Sequence, residues 1–306
     1  MTTTKNPNAT RLFSLSRFSG MNNVEKSFRM PVTRDAHYNV LSDVSIIENL
    51  DIDNSMALSS RAGSDLKLAG TTFHSLWSDE DILCLFVDGT ALYRLTPQYT
   101  AVSIGEVGSA RMSYAPWNDK VYMTNESYIG YYKNDSLTAV ADPGVTYKLP
   151  LPAGKFIAYY RGRLYVAKGN VLYISDALSD HYDVRNGFKT FANNITMLIA
   201  VDKGLYIADG KTWFLPGAEP DEFQKDKVSD ADAIPYTAVS IDGEKLGGGV
   251  DGNFAIWTAT DGICLGDNGG KVKNLTQSRF AMSSHGIGGA VVRTVNGKSH
   301  YIVTLE

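Results

Sequence analysis

A short apolar strand, a tight polar turn and a second strand recur six times along the chain, and this repeat limits the fold more than any other feature. The clearest copies are Leu83–Tyr93, Leu164–Tyr173 and Gly204–Phe214. Weaker copies centre on Asn125-Glu126, Asp261-Gly262 and Asn296-Gly297. The turns lie roughly 35 to 50 residues apart, which is the period of propeller blades and similar arrays. The repeat therefore predicts one architecture built from similar units.

The segments between the turns also predict strands. Runs such as Phe156–Tyr160 and Val291–Val295 are rich in β-branched and aromatic residues, and no segment has a sustained helical period. The sequence therefore predicts an all-β chain with a single β-propeller of six blades. The predicted units are residues 70–108, 110–143, 154–191, 194–233, 235–281 and 284–306. A seventh blade, drawn partly from residues 30–68, is the alternative.

The sixth predicted unit is too short for a whole blade. A closed ring has to protect its edge strands, and propellers often complete the last blade with a strand from the other terminus. We expect Ser59–Ser64, which leads into Leu66–Leu68, to supply that strand.

Composition narrows the function classes. The 306 residues are 43% hydrophobic and 20% charged, as in a soluble protein with a core. A net charge of −4 argues against a general binder of nucleic acid or anionic membranes. Inside an assembly, however, a mildly acidic surface would let DNA slide past it. The first residues lack the apolar run of a signal peptide, and no apolar stretch is long enough to span a bilayer. We therefore expect synthesis in a reducing cytoplasm and no membrane span.

The first 55 residues differ from the rest, because they show little aromatic alternation. We interpret residues 1–55 as an N-terminal arm with one short strand near Val44–Ile47, and residues 56–306 as the propeller. Six basic residues face a single acidic one up to residue 34. Such an arm is either a solubilising tail or a contact with an acidic subunit or a DNA backbone. The candidate subunit contacts are Arg11, Arg17, Lys26, Arg29 and Arg34.

Motifs that resemble catalytic or ligand sites fail on their spacing or context. The turn Asp209–Trp213 is similar to the Asp box of sialidase-like propellers, which is itself a folding element, but lacks one residue. The start of a calcium loop at Asp51 has Met56 and Ala62 where glycine and glutamate are needed. The glycine-rich run 247–252 leads into a strand, whereas a phosphate motif needs a helix. We therefore predict no catalytic residue, no cofactor and no metal site.

Five segments resemble a known family. In the N-terminal region these are Phe18–Val24, Met30-Pro31 and Asn49–Ser55, and further along the chain Leu164–Ser175 and Trp257–Gly266. They are similar to the neck and tail-nozzle proteins of tailed bacteriophages, which stabilise packaged DNA. The family's R-R-P-G turn is replaced here by Ser60–Gly63, with one arginine and no proline.

The resemblance implies a structural virion protein that is not an enzyme. Its copies would form a ring, commonly of six, below the portal and adaptor and around the channel through which DNA leaves. The alternative is a propeller at the tail tip or fibre that binds a host receptor or glycan. Tryptophan side chains exposed on one face would support this alternative. A propeller glycosidase is a third reading, although no carboxylate pair can be named for it.

Overall fold

The structure is a computed structural model. It describes residues 17–26, 32–34, 40–48, 50–52, 56–60, 63, 65–79, 83–246, 249–277, 279–280, 286–295 and 298–306. These residues divide into two compact units. The first takes in the described parts of Met1–Asp65 and Thr276–Ala281, and the second those of Leu66–Leu275 and Met282–Glu306.

The first unit holds more regular structure than the arm we predicted. Its strands are β1 Phe18–Met21, β2 Val32–Arg34, β3 Val40–Val44, β4 Leu50–Ile52 and β5 Leu58–Ser60. The strands β1, β3 and β2 form one sheet in that order, with β1 parallel to β3, and β4 pairs with β5. The strand predicted near Val44–Ile47 is misplaced, because β3 ends at Val44. Its polar residues Ser42 and Asp43 are buried, and their burial hides the apolar alternation that would have marked the strand.

The second unit contains five four-stranded antiparallel sheets in chain order. The first is β6 Phe73–Ser78, β7 Cys84–Asp88, β8 Ala91–Leu95 and β9 Ala101–Glu106. The second is β10 Ser113–Trp117, β11 Lys120–Thr124, β12 Ile129–Lys133 and β13 Ser136–Ala139. The third is β15 Phe156–Tyr160, β16 Arg163–Lys168, β17 Val171–Ile174 and β19 Phe188–Thr190.

The fourth sheet is β20 Met197–Val201, β21 Gly204–Ala208, β22 Thr212–Pro216 and β23 Asp226–Ser229. The fifth is β24 Val239–Asp242, β25 Asn253–Ala259, β26 Gly262–Gly266 and β27 Val272–Asn274. A small extra sheet pairs β14 Lys148–Pro150 with β18 His181–Asp183. The only helices in the described chain are two short 3-10 turns, Pro220–Glu222 and Gly243–Leu246.

The sheets stack face to face, each on the next along the chain. Tyr206 and Trp257, from the fourth and fifth sheets, lie in one buried cluster with ring centroids 5.4 Å apart. Similar clusters join the first sheet to the second, the second to the third, the third to the fourth, and the fifth to the last hairpin. The first strands of successive sheets are neighbours. For example, the Ser113 hydroxyl on β10 accepts a hydrogen bond from the backbone N–H of Ile157 on β15 over 3.1 Å. This is the arrangement of a β-propeller, and the predicted fold class is confirmed.

Tight turns of the predicted kind connect the strands of each sheet. In the second sheet, Asn134 and Asp135 both have positive φ, at 49° and 57°. Two successive residues of this conformation are the signature of the two-residue hairpin turn that matches strand twist. Gly89 and Gly169 supply positive φ at the turns between the second and third strands of the first and third sheets.

The last unit is a hairpin of two long strands, β28 Gly288–Val295 and β29 Lys298–Leu305. Its predicted turn, Asn296-Gly297, lies outside the described residues. The predicted closing strand is wrong, because Ser59 and Ser60 pair with β4 and Leu66–Leu68 forms no strand. The count of six or seven blades stays a prediction.

Candidate functional site

The predicted contact residues of the arm lie in separate elements of the first unit. Arg17 precedes β1, and its carbonyl accepts a hydrogen bond from the Ser42 N–H over 3.2 Å. Lys26 follows the turn after β1 and is exposed, as is Arg34 at the end of β2. Arg11 and Arg29 lie outside the described residues.

A buried carboxylate, which the sequence did not single out, organises this unit. The side chain of Asp43 on β3 accepts hydrogen bonds from the Ser19 hydroxyl and from the Asn22 amide, the second over 3.1 Å. The Asn22 side chain also caps the turn by accepting from the N–H groups of Val24 and Glu25. Ser19 and Asn22 belong to the first segment of the family resemblance, so these polar residues have a structural role.

The same carboxylate is reached by a residue from near the other end of the chain. Arg279 lies in the connection between β27 and β28, and its guanidinium is 3.4 Å from the Asp43 carboxylate. Its carbonyl accepts a hydrogen bond from the Asn23 N–H over 3.0 Å. The connection is therefore part of the first unit.

A second cluster forms where the first strands of several sheets begin. Arg111 directly precedes the second sheet, Lys155 the third, and Tyr236 lies shortly before the fifth. The Arg111 guanidinium donates to the carbonyl of Gly288 and forms an ion pair of 2.6 Å with Glu306. Arg111, just before the second sheet, thus contacts both strands of the last hairpin at the end opposite its turn.

Aromatic rings and cations contact each other in this second cluster. The rings of Phe156 and Tyr236 lie 5.1 Å apart. The Lys155 ammonium is 5.5 Å from the Tyr236 ring and 5.6 Å from the Phe156 ring, and the Arg111 guanidinium is 5.8 Å from the Tyr236 ring. A cation over the face of an aromatic ring is attracted electrostatically to that ring, and each such pair contributes about 0.5 to 2 kcal/mol.

The backbone and the electrostatics of Tyr236 are both unusual. Its φ of 65° is the left-handed conformation, which costs a residue with a Cβ and persists only where the surroundings enforce it. Burial, with a smaller effect from Glu126, raises the pKa of its hydroxyl to about 12. The phenol therefore stays protonated at neutral pH. The cluster is built to hold sheets together.

The turn that is similar to an Asp box is a folding element. The carboxylate of Asp209 is buried and accepts hydrogen bonds from the Trp213 indole, over 2.5 Å, and from the Ala192 N–H, over 3.1 Å. The Asp209 carboxylate therefore joins its own turn to β22 and to the connection that precedes the fourth sheet.

The four tryptophans do not form an exposed binding face. Trp117 and Trp257 are buried, and Trp77 and Trp213 are half-buried against apolar clusters. None of the four therefore supplies the exposed ring that would support the glycan-binding alternative, which stays a prediction.

Metal ligands and thiols form no cluster in the described part of the chain. Among the described residues, no three His, Cys, Asp or Glu side chains come together as a metal site. Cys264 is buried, and burial raises the pKa of its thiol to about 12, whereas Cys84 is only half-buried. The glycines 247 and 248 of the phosphate-like run lie outside the described residues.

Comparison with known proteins supports the fold alone. No family model matches the sequence, and no curated protein does. Among solved structures, BBS1N from its complex with ARL6DN is similar, with a TM-score of 0.50 at 12% identity over 84% of this chain and 86% of that one. The WD40 domain of Pan2 from Neurospora crassa gives a TM-score of 0.47 at 12% identity, over 76% of this chain and 74% of that one.

A third similar structure is PorZ, a surface component of the type-IX secretion system of Porphyromonas gingivalis. The TM-score is 0.48 at 11% identity, over 82% of this chain. The chain spans 32% of PorZ, about a third of its length. In the described residues of the present chain, no helix has the length and apolar character to cross a membrane.

Sequence reasoning missed both clusters for the same reason. The partners Asp43 and Arg279, like Arg111 and Glu306, are far apart in the chain and belong to no motif. One weak signal was available for the second cluster, because a basic residue stands just before an opening strand at Arg111 and again at Lys155.

Proposed function

We propose that the chain is a structural virion protein of a tailed bacteriophage, a ring-forming neck or tail-nozzle subunit around the DNA exit channel. The proposal rests first on the resemblance of Phe18–Val24 and of the four other segments to that family. Within the described residues, the first of these segments forms β1 and its turn, and it binds the buried Asp43 carboxylate.

Exposed apolar side chains on the first unit are the observation that carries the proposal. The exposed fractions are 50% for Val24, 69% for Ile46 and 41% for Met56, within a small unit. A monomer gains nothing from such exposure, whereas a neighbouring subunit would remove these side chains from water at about 25 cal/mol per Å².

The charge distribution agrees with a role between protein subunits and passing DNA. The exposed Lys26 and Arg34 lie on the same unit as the apolar side chains and suit an acidic neighbour. The whole chain has a net charge of −4, which disfavours tight binding of a polyanion. Many modest contacts around a ring add up to a stable assembly.

The oligomeric state tests the proposal. The mass of the purified protein would be measured by light scattering and its shape by electron microscopy, alone and with adaptor rings from the same phage. We expect a cyclic assembly, commonly of six copies, in at least one of these conditions. The variant Ile46→Asp should dissociate it, whereas Leu178→Asp, at a side chain 75% exposed on the second unit, should not.

Two results would overturn the proposal. A protein that stays monomeric at every concentration, with and without adaptor rings, is not a ring subunit. A monomer that also binds a defined glycan on an array would instead support the receptor-binding alternative at a tail tip or fibre.

A further inference from the structure

A groove between the first and second sheets takes no part in the proposed assembly. Its volume is about 540 Å³, within the range of roughly 300 to 1,000 Å³ that is usual for small-molecule sites. Trp77 of β6 and Arg94 of β8 line it from the first sheet, and Pro116 of β10 and Tyr132 of β12 line it from the second. The described residues of the groove therefore all belong to the second compact unit.

Two turns of the same sequence form a polar rim of this groove. Asn118-Asp119 joins β10 to β11, and Asn134-Asp135 joins β12 to β13, at the same end of the second sheet. Both asparagines have positive φ, at 54° and 49°, and both are exposed. Their side-chain amides form no hydrogen bond with any described residue. Each amide therefore offers one acceptor and two donors to a ligand.

The two cations that line the groove are already engaged. The Arg94 guanidinium binds both carboxylate oxygens of Asp135, over 2.6 and 3.2 Å. The Lys120 ammonium lies 4.1 Å from the centroid of the Tyr131 ring. A ligand with a carboxylate or phosphate would therefore meet no unengaged cation among the described residues of the groove.

The carboxylates of the groove are engaged as well. Asp119 pairs with Lys133 over 2.5 Å, and this hydrogen bond lowers the pKa of its carboxyl. A hydrogen bond from the Tyr132 hydroxyl lowers the pKa of Asp135. The third carboxylate, Asp79, accepts a hydrogen bond from a backbone N–H of its own turn. These groups stay ionised as acceptors, but their partners reduce the attraction for a cation, so the groove favours a polar and neutral ligand.

Trp77 and Pro116 add apolar surface beside these polar groups. Trp77 is half-buried, with its ring stacked on that of Tyr114 at 5.8 Å between centroids. Its indole N–H has no hydrogen-bond partner in the described part of the chain. Trp77 is thus a partly covered ring within a groove and not an exposed platform. The combination of apolar and neutral polar groups matches a pyranose, which has a face of C–H groups and a rim of hydroxyls.

We propose that this groove binds a neutral saccharide unit. The C–H face of the sugar would pack against Trp77 and Pro116, and its hydroxyls would bond to Asn118, Asn134 and Asp119. An apolar surface with a few placed polar groups is the usual composition of a small-molecule site. The inference does not depend on the proposed ring, because a neck or nozzle subunit and a propeller at a tail tip can both carry such a groove.

Ligand titration in solution tests the proposal. The full chain, labelled with fluorotryptophan, would be titrated with the methyl glycosides of glucose, galactose and mannose, and with the charged methyl glucuronide and methyl glucosaminide. Trp77→Phe assigns the fluorine resonance of Trp77. We expect at least one neutral glycoside to shift that resonance until saturation, and the charged sugars to bind more weakly. No saturable shift with any neutral glycoside up to its solubility limit, or tighter binding of a charged one, would overturn the proposal.

Variants at the two turns locate the site. Asn118→Gly and Asn134→Gly remove the amides, and glycine adopts positive φ without strain. Each variant should raise the Kd of the glycoside about fivefold, as expected for the loss of one hydrogen bond. Asn186→Gly, at an exposed position of the third sheet, should leave the Kd unchanged. If all three variants bind as the parent does, the sugar is not held by these turns and the proposal is wrong.

Ile46→Asp separates this inference from the proposed function. The substitution should dissociate the assembly and leave saccharide binding intact, because the groove is formed by the second unit. If the protein forms the ring but no neutral glycoside shifts the Trp77 resonance, the assembly stands and the groove is wrong. If the groove binds a saccharide in a protein that never assembles, the ring is wrong and the groove stands.

Discussion

Arg279 and Asp43 form an ion pair across 236 positions of the chain, with 3.4 Å between guanidinium and carboxylate. The Asp43 side chain is 1% exposed and that of Arg279 is 44% exposed. The pair thus joins the connection before the last hairpin to the sheet formed by β1, β3 and β2. A buried carboxylate of this kind needs all its partners, because its desolvation is costly.

Asp43→Ala should loosen the first unit without unfolding the second. Loss of the acceptor leaves the Ser19 and Asn22 donors unsatisfied, so we expect about 2 kcal/mol of lost local stability. Hydrogen exchange should accelerate in residues 17–26 and 276–280 and stay unchanged in the third and fourth sheets. Glu48→Ala, at an exposed carboxylate of the same unit, is the control. Equal acceleration in all sheets would contradict the prediction.

Tyr165→Phe and Tyr206→Phe should have different effects, although both side chains are fully buried. The Tyr206 hydroxyl donates to the Asp267 carbonyl over 2.8 Å, whereas the Tyr165 hydroxyl has no hydrogen-bond partner among the described residues. Tyr206→Phe should cost about 1 kcal/mol, and Tyr165→Phe should be neutral or stabilising. Urea unfolding measures both, and a larger loss for Tyr165→Phe would refute the assignment.

Arg111→Met should release the last hairpin. The substitution removes the bonds to Gly288 and Glu306 while it preserves much of the side-chain volume. Amide exchange in residues 299–306 should then become at least several-fold faster. Arg94→Met, which removes an ion pair between the first sheet and Asp135 of the second, should leave amide exchange in residues 299–306 unchanged. The hypothesis fails if both variants behave alike.

Asp183 should contribute to stability in a pH-dependent way. Hydrogen bonds from the Arg185 side chain and backbone, with Lys148 nearby, hold the pKa of this carboxyl well below its usual range. The pKa of an aspartate carboxyl in an unfolded chain is about 3.9. The contribution of Asp183 to the free energy of unfolding is therefore complete above that pH and is lost as the pH falls below it. The difference in urea midpoint between the protein and Asp183→Asn should shrink between pH 5 and pH 3. A constant difference would argue against this role.

The sequence predicts the blades well, because the signal there is local. The unit 154–191 corresponds to the sheet from Phe156 to Thr190, and the unit 194–233 to that from Met197 to Ser229. Alternation and turn residues act over a few positions and are visible in one sequence. The role of the Asp209 turn as a folding element was predicted on the same grounds.

The first unit was predicted poorly because its order depends on distant contacts. β3 carries buried polar residues, and its pairing with β1 is parallel, a pattern that needs a long connection and leaves no turn signature. Arg279, which completes the site around Asp43, follows 236 positions after it in a segment without a motif. The conformation of Tyr236 likewise depends on the packing of Phe156 and Lys155, which no local pattern encodes.

The stacking of each sheet on its immediate successor has a consequence for synthesis. Every core cluster combines only adjacent sheets, so the polypeptide can bury its apolar surface one sheet at a time as it leaves the ribosome. The nascent chain never has to hold an early sheet exposed until a distant one is translated. Two contacts are exceptions: Asp43 pairs with Arg279, and Arg111 binds the last hairpin, which is translated only after the four sheets that follow Arg111.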